Sequence, residues 1–234
     1  MKPILILIAA IAFALSPFLL PEFGGFDPNL YPVPQDNPAV QPAGWAFAIW
    51  GIIYLGLIFH GAYGLIKRKT EQNWDRGRLH LLISLVIGAI WLPVAFVSPI
   101  WATILIWVML ITTLMSLYQT RNATPKWAAS LPVALYAGWL TAASFVSIGL
   151  ILAGYGFTGE VPAAIIALVL ATPFAVFNIS KLKHWTYGAA IAWGVIAIAA
   201  NNWDSNSMLA WLSIASAIIV IGTTIFQVRQ QSSL

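Results

Sequence analysis

Eight long apolar runs, each separated from the next by a short polar stretch, leave this chain one kind of fold. The runs cover about 3–20, 44–66, 79–97, 100–119, 127–152, 161–179, 184–200 and 207–227. A bilayer core roughly 30 Å thick is crossed by about 20 apolar residues of helix. Backbone N–H and C=O groups find no partners in lipid, so runs of this length must be helices. Composition agrees, because 60% of the 234 residues are hydrophobic and only 8% charged, against about 25% charged in a soluble domain. The expectation is an all-α, polytopic membrane helical bundle of about eight transmembrane helices.

The charges between the runs orient it. Lys2, Lys67, Arg68, Lys69, Arg76, Arg78, Arg121, Lys126, Lys181, Lys183 and Arg229 all fall in alternate connections. Glu22, Asp27, Asp36, Glu160 and Asp204 occupy the other set, and only Glu71 and Asp75 share the basic side. Basic loops resist translocation, so the Lys/Arg side is expected to be cytoplasmic, with both termini there, in an inner-membrane, multi-pass protein. The net charge of +4 reflects these anchors and does not point to nucleic acid. The first run resembles a signal peptide in having one Lys and then Ala14-Leu15-Ser16. It is long for an h-region and has no clean small-x-small site, so it is expected to persist as the first helix. The chain has no cysteine, which excludes disulfides, thiolate metal sites and Cys nucleophiles.

Among the connections only 21–43 is long. It carries Pro21, Pro28, Pro32, Pro34, Pro38 and Pro42 and lacks helical or strand periodicity. Such a segment is stiff and extended, and it is either a lid over the outer mouth of the bundle or a spacer. The basic hairpin Lys67–Arg78 reads as an orientation anchor that touches anionic head groups. Asn201 to Asn206 reads as a tight turn whose Asx side chains bond local backbone. Ala48-Ile-Trp50-Gly51-Ile and Ile191-Ala-Trp193-Gly194-Val form a faint internal repeat on helices of opposite direction.

Missing residues narrow the function. No Asp, Glu, Lys or Arg falls within the predicted helix cores, where ion-coupled transporters and proton pumps carry them. His60 is the one clearly intramembrane ionisable side chain, and a lone membrane His is most often a hydrogen-bonding group between helices. No paired carboxylates, His cluster or Ser/His/Asp set shares a depth, so conventional acid–base catalysis and metal chemistry have no residues to use.

Aromatic residues are abundant instead: twelve Trp, seven Tyr and twelve Phe. Trp127, Trp185, Trp203 and Trp211 sit near helix ends, as interfacial belt residues do. Trp50, Trp91, Trp139 and Trp193 lie deeper. At about 100° per residue, Phe47, Trp50, Tyr54, Leu57 and Gly61 share one stripe of the second predicted helix. Pro132, Tyr136, Trp139, Ala143 and Ser147 share a stripe of the fifth. Rings beside small residues suit either plain aromatic packing of a bundle or an apolar pocket for a flat hydrophobic ligand.

Four segments resemble a known family in its own order. They are Pro42-Ala-Gly-Trp45-Ala-Phe47-Ala-Ile-Trp50-Gly-Ile-Ile-Tyr54; Trp91-Leu-Pro93 with Phe96; Pro99-Ile-Trp-Ala102 with Trp107 and Thr113; and Tyr136-Ala-Gly-Trp139-Leu-Thr141-Ala-Ala143. Together they resemble the TspO/MBR family, the tryptophan-rich sensory and translocator proteins, over roughly residues 1–153. There are departures. Trp45 and Trp50 are five apart without an intervening Pro, where the family has six. Gly88 stands where the family has Asn, and the first-loop Lys-Pro-x-Trp is missing. Helices six to eight, within 154–234, are expected to lack a family counterpart and to pack as additions on a TspO-like five-helix core.

The resemblance implies a sensor or regulator that binds a porphyrin, haem-related tetrapyrrole or sterol-like ligand inside the bundle. It implies Trp50 and Trp139 as pocket walls with Ala143 giving room, and Trp45, Phe47, Tyr54, Trp91 and Tyr136 as further lining. It also implies a homodimer, unless the added helices cover that surface, and light-dependent porphyrin oxidation as the one enzymatic possibility. Two other readings stand beside it. One is a carrier of a neutral lipophilic metabolite, bending at Pro93, Pro132 and Pro173. The other is a structural subunit of a membrane complex.

Overall fold

The computed structural model describes residues 1–232; its regular elements are all helices, with no strand among the described residues. The helices are α1 Lys2–Leu15, α2 Ile49–Lys67, α3 Gln72–Ala95, α4 Pro99–Gln119, the single turn α5 Lys126–Ala129, α6 Leu131–Gly154, α7 Glu160–Leu182, α8 Trp185–Asn201 and α9 Ser207–Ser232. Tight 3-10 turns extend α1 at its end (Ser16–Leu19) and precede α2 (Gly44–Ala48). Among the described residues, seven helices are long and apolar enough to cross a membrane. The eighth expected crossing, α8, has 17 residues, or about 26 Å at 1.5 Å per residue.

Two boundaries differ from the sequence reading. Helix α3 starts at Gln72, so Asp75, Arg76 and Arg78 lie in its first two turns rather than in a hairpin. The fifth run is broken at Ser130 into α5 and α6. Pro132 sits in the first turn of α6, where its missing N–H is unpaired anyway. It therefore starts a helix and does not bend one, whereas Pro93 and Pro173 do lie inside α3 and α7.

Packing follows two rings that share one helix. Helix α1 packs on α2 and α3, α3 on α4, α4 on α6, and α6 returns to α2. A second set, α7, α9 and α8, packs in sequence and closes on α6 from both sides. Serving both rings, α6 is 67% buried across its span, against 33–44% for the other six long spans. Its composition permits this, because small residues on α6 and α8 let the two backbones meet. A Cβ at Gly138 would lie 2.3 Å from the Tyr187 carbonyl oxygen, so only glycine fits that crossing.

The basic end is tied by side chains. Lys2 bridges to Asp75 at 2.7 Å, and Asp75 also accepts from Arg78 at 3.3 Å. Arg78, 4% exposed, donates to the carbonyls of Gly64, Arg68 and Lys69 where α2 ends. The Gly64 carbonyl is one that a helix C-terminus leaves unpaired, and the other two belong to the turn that follows it. His60 is hydrogen-bonded to the Ala128 carbonyl at 2.9 Å and stacks on Trp74, whose indole N–H donates to the Thr124 carbonyl. His60 thus performs the interhelical bonding expected of it.

At the opposite end the Pro-rich segment folds across the bundle. The Val33 N–H donates to the Gly154 carbonyl at 2.9 Å and the Ala43 N–H to the Ala197 carbonyl at 3.0 Å. Asn202, 1% exposed, donates through Nδ2 to the Ala39 carbonyl at 2.7 Å and to the Ile198 carbonyl at 2.8 Å. The 201–206 turn therefore bonds a distant loop as well as its own backbone, while Asn206 caps α9 by accepting from the Leu209 N–H. The loop's final part, 39–43, is fastened to α8 and the residue after it, and its middle, at Val33, to the end of α6.

Candidate ligand-binding site

The two aromatic stripes do face each other, but a third helix fills most of the space between them. Phe13 of α1 meets Trp50, Tyr54 and Tyr136 edge-on, with centroids 5.1–5.8 Å apart. Trp50 stacks on Tyr54 at 5.3 Å and 18°. Tyr136 is fully buried, and its hydroxyl shares a 3.0 Å hydrogen bond with Ser84, which Thr113 reaches at 2.8 Å. Gly88 makes the arrangement possible: a Cβ there would fall 2.8 Å from the Phe13 ring. Gly88 is thus the residue that admits Phe13.

Space remains closer to the loop. A cavity of about 60 Å³ lies between α6, Trp91 and the folded loop. Phe23, Phe26, Gln41 and Pro42 roof it; Phe47, Trp91, Ile106, Trp139, Ala143 and Ser147 are among its walls. The roof is held by its own contacts. Phe23 packs edge-on against Trp91 at 5.4 Å and Phe26 at 5.6 Å. Gln41 donates to the Gly24 carbonyl at 3.4 Å. Gly25 has φ 141°, and a Cβ there would lie 2.8 Å from Gln41 Oε1, so both backbone and space call for glycine.

Polar groups at the cavity are few, and most are satisfied. Trp91 Nε1 donates to the Ala102 carbonyl and the Ser147 hydroxyl to the Ala143 carbonyl, both at 2.9 Å. Trp139 differs. It is 3% exposed, and its Nε1–H is buried with no hydrogen-bond partner. The Cζ3–Cε3 edge of its ring is turned to α8, 3.6–4.0 Å from where a Cβ on Gly194 would be, which puts the N–H on the far edge of the indole. A buried unpaired donor costs about 1–3 kcal/mol, so this group marks a place where an acceptor is wanted. In the roof, Tyr31 is 4% exposed with an unpartnered hydroxyl. Burial, and then the neighbouring Tyr155, push its pKa up, so the phenol stays protonated.

The sequence-predicted residues therefore separate. Phe47, Trp91, Trp139 and Ala143 line the cavity. Trp50, Tyr54 and Tyr136 lie in the packed aromatic layer behind it, with Trp50 edge-on to Trp139 at 6.2 Å. Trp45 is 48% exposed and packs on Trp193 at 4.8 Å. Sequence reasoning missed Phe13, Phe23, Phe26 and Gln41, which carry no periodic signal relative to the stripes they meet. Among the described residues there is no group of three His, Cys, Asp or Glu suited to a metal ion.

Comparison with known proteins bears on this arrangement. The sequence profile of the TSPO-like protein family matches residues 30–226. The chain belongs to that family. The match takes in α7, α8 and α9 as well as α2 to α6, so it reaches beyond the 1–153 in which the motifs are legible, and the last three helices fall within the family pattern. Helix α1 precedes it. No curated protein and no solved structure matches the chain.

Proposed function

We propose that this multi-pass protein binds a flat, apolar ligand of the tetrapyrrole or sterol-like class in the cavity beneath the 21–43 loop, and that it acts as a sensor or regulator rather than by conventional catalysis. The observation that carries the reading is a largely apolar, ring-lined cavity under a fastened roof, one of whose lining residues, Trp139, has a buried N–H without a partner. Rings supply stacking area and one polar group fixes orientation, as in most small-molecule sites. The ligand accordingly bears a hydrogen-bond acceptor, such as a carboxylate or carbonyl on its rim.

At about 60 Å³ the cavity is well below the roughly 300–1,000 Å³ of occupied ligand sites. Binding therefore requires the roof to lift and the Phe23 and Phe26 rings to withdraw. That makes the loop a lid, with the basic end facing the cytoplasm and the lid facing outward. An opening lid suits a sensor, since occupied and empty forms then differ in shape at the membrane surface.

The test is a titration of purified protein in detergent with protoporphyrin IX, followed by the Soret band and by tryptophan quenching. Trp139→Phe keeps an aromatic wall and removes only the N–H and the indole's extra area. We expect saturable binding to the wild type and a loss of about tenfold in the variant, the value of one buried hydrogen bond. Equal affinity for both proteins, or no saturation, would overturn the reading.

A further inference from the structure

The basic end carries a second feature that ligand binding under the lid does not use. A groove of about 420 Å³ is lined by Arg76 of α3, Tyr118 and Gln119 of α4, and Arg121 and Asn122 just beyond α4. Arg76 and Arg121 are both exposed, and neither has an ion-pair or hydrogen-bond partner among the described residues. The nearby acid is already committed, because Asp75 pairs with Lys2 and Arg78. The Tyr118 hydroxyl is likewise taken, donating to Asn178 Oδ1 at 2.8 Å. Two guanidinium groups that line one groove without a counter-charge repel each other, and an anion between them removes that cost.

What lies along the same helix faces identifies the anion. On α3, Leu79, Ile83, Val86 and Ile90 continue the stripe that begins at Arg76, and all are exposed. On α4, Met115 and Ile111 continue the side that ends at Gln119, and both are exposed. Helices α3 and α4 pack directly together, so these residues form a ridged apolar surface leading away from the groove into the bilayer. A phosphate between the arginines thus has an acyl-chain track beneath it.

We infer that the Arg76–Arg121 groove is a binding site for the phosphate head group of an anionic phospholipid, whose chains lie along the α3/α4 surface. Arg76 supplies a fork for the phosphate oxygens from α3 and Arg121 another from just beyond α4, and the Gln119 and Asn122 amides add donors. Held this way, the lipid fastens the α3 start to the α4 end at the cytoplasmic surface.

The experiment is native mass spectrometry of delipidated full-length protein titrated with phosphatidylglycerol or phosphatidylcholine, with detergent melting as the second readout. Variants are Arg76→Gln/Arg121→Gln and, as a control, Lys126→Gln/Lys181→Gln, which removes the same charge from other positions at that end. We expect the wild type to retain phosphatidylglycerol preferentially and to melt higher with it. The arginine pair should lower that affinity by about tenfold or more, each cation contributing about 1 kcal/mol at a membrane surface, while the control pair leaves it within about twofold. Equal losses in both pairs would mean a diffuse field and overturn the site. Full displacement of the lipid by millimolar inorganic phosphate would assign the groove to a soluble anion and overturn the lipid.

Discussion

Asn202→Ala tests the lid most directly. The side chain is buried and donates to two carbonyls, Ala39 at 2.7 Å and Ile198 at 2.8 Å. The second loss is small, because the Ile198 carbonyl keeps the Asn202 backbone N–H at 3.2 Å. The Ala39 carbonyl, on a residue 7% exposed, is left without a donor. Stranding one buried acceptor costs about 1–3 kcal/mol, and it strands only when the lid is shut. An open lid gives that carbonyl to water, so the cost falls on the closed form and lid opening becomes about 5- to 150-fold more frequent. Hydrogen–deuterium exchange followed by mass spectrometry reads this directly, comparing peptides over 33–43 with peptides from α3 and α4. The loop should exchange faster while the helices do not change. Unchanged loop exchange would refute the tether, and a uniform rise in all peptides would show that Asn202 supports the bundle and not the lid.

Three further results are expected. Gly138→Ala drives a methyl against the Tyr187 carbonyl, and such overpacking costs roughly 1–3 kcal/mol; the melting temperature in detergent should fall, with α6 and α8 exchanging faster than α1. His184, at the start of α8, has its pKa lowered to about 4 by burial and then by Lys126. The unfolded chain binds the proton more readily, so stability is full above about pH 6.5 and declines as pH falls toward about 4; His184→Gln should flatten the melting profile across that window. Gly154→Ala places a Cβ 2.2 Å from the Tyr31 ring, so it should loosen the lid at its other tether, with faster ligand release in stopped-flow quenching and little change in the α3 and α4 peptides.

Much of the architecture was legible in the chain because its rules are one-dimensional. A run of some twenty apolar residues has to be a helix in lipid, and a basic connection marks a side; both are read without knowing any neighbour. That is why seven of the eight runs appear as full-length spans and α8 as a shorter one. Boundaries failed where polar residues were put outside the helix. Arg78 lies inside α3 although it is charged, because three carbonyls at and just beyond the end of α2 accept its hydrogen bonds.

The candidate site was legible only in part, and the reason is again physical. Periodicity shows which residues share a face of one helix, and Trp139 and Ala143 of α6 do line one cavity, whereas Phe47 falls on the 3-10 turn before α2 and parts from Trp50. Periodicity says nothing of what fills the gap between two helices. Phe13 comes from α1 and enters against Gly88, turning Trp50, Tyr54 and Tyr136 into packed core. Phe23, Phe26 and Gln41 come from a loop without periodicity and roof the remaining space. The sequence by itself determined a helical membrane bundle, the segregation of its basic residues to alternate connections and its aromatic stripes, since each depends on local composition and spacing. Only the tertiary structure decided which rings are core and which face a cavity, that α6 serves two rings of helices, and that one buried indole N–H is left waiting for an acceptor. Those outcomes depend on which side chain reaches a given space first, and that is fixed when the helices meet.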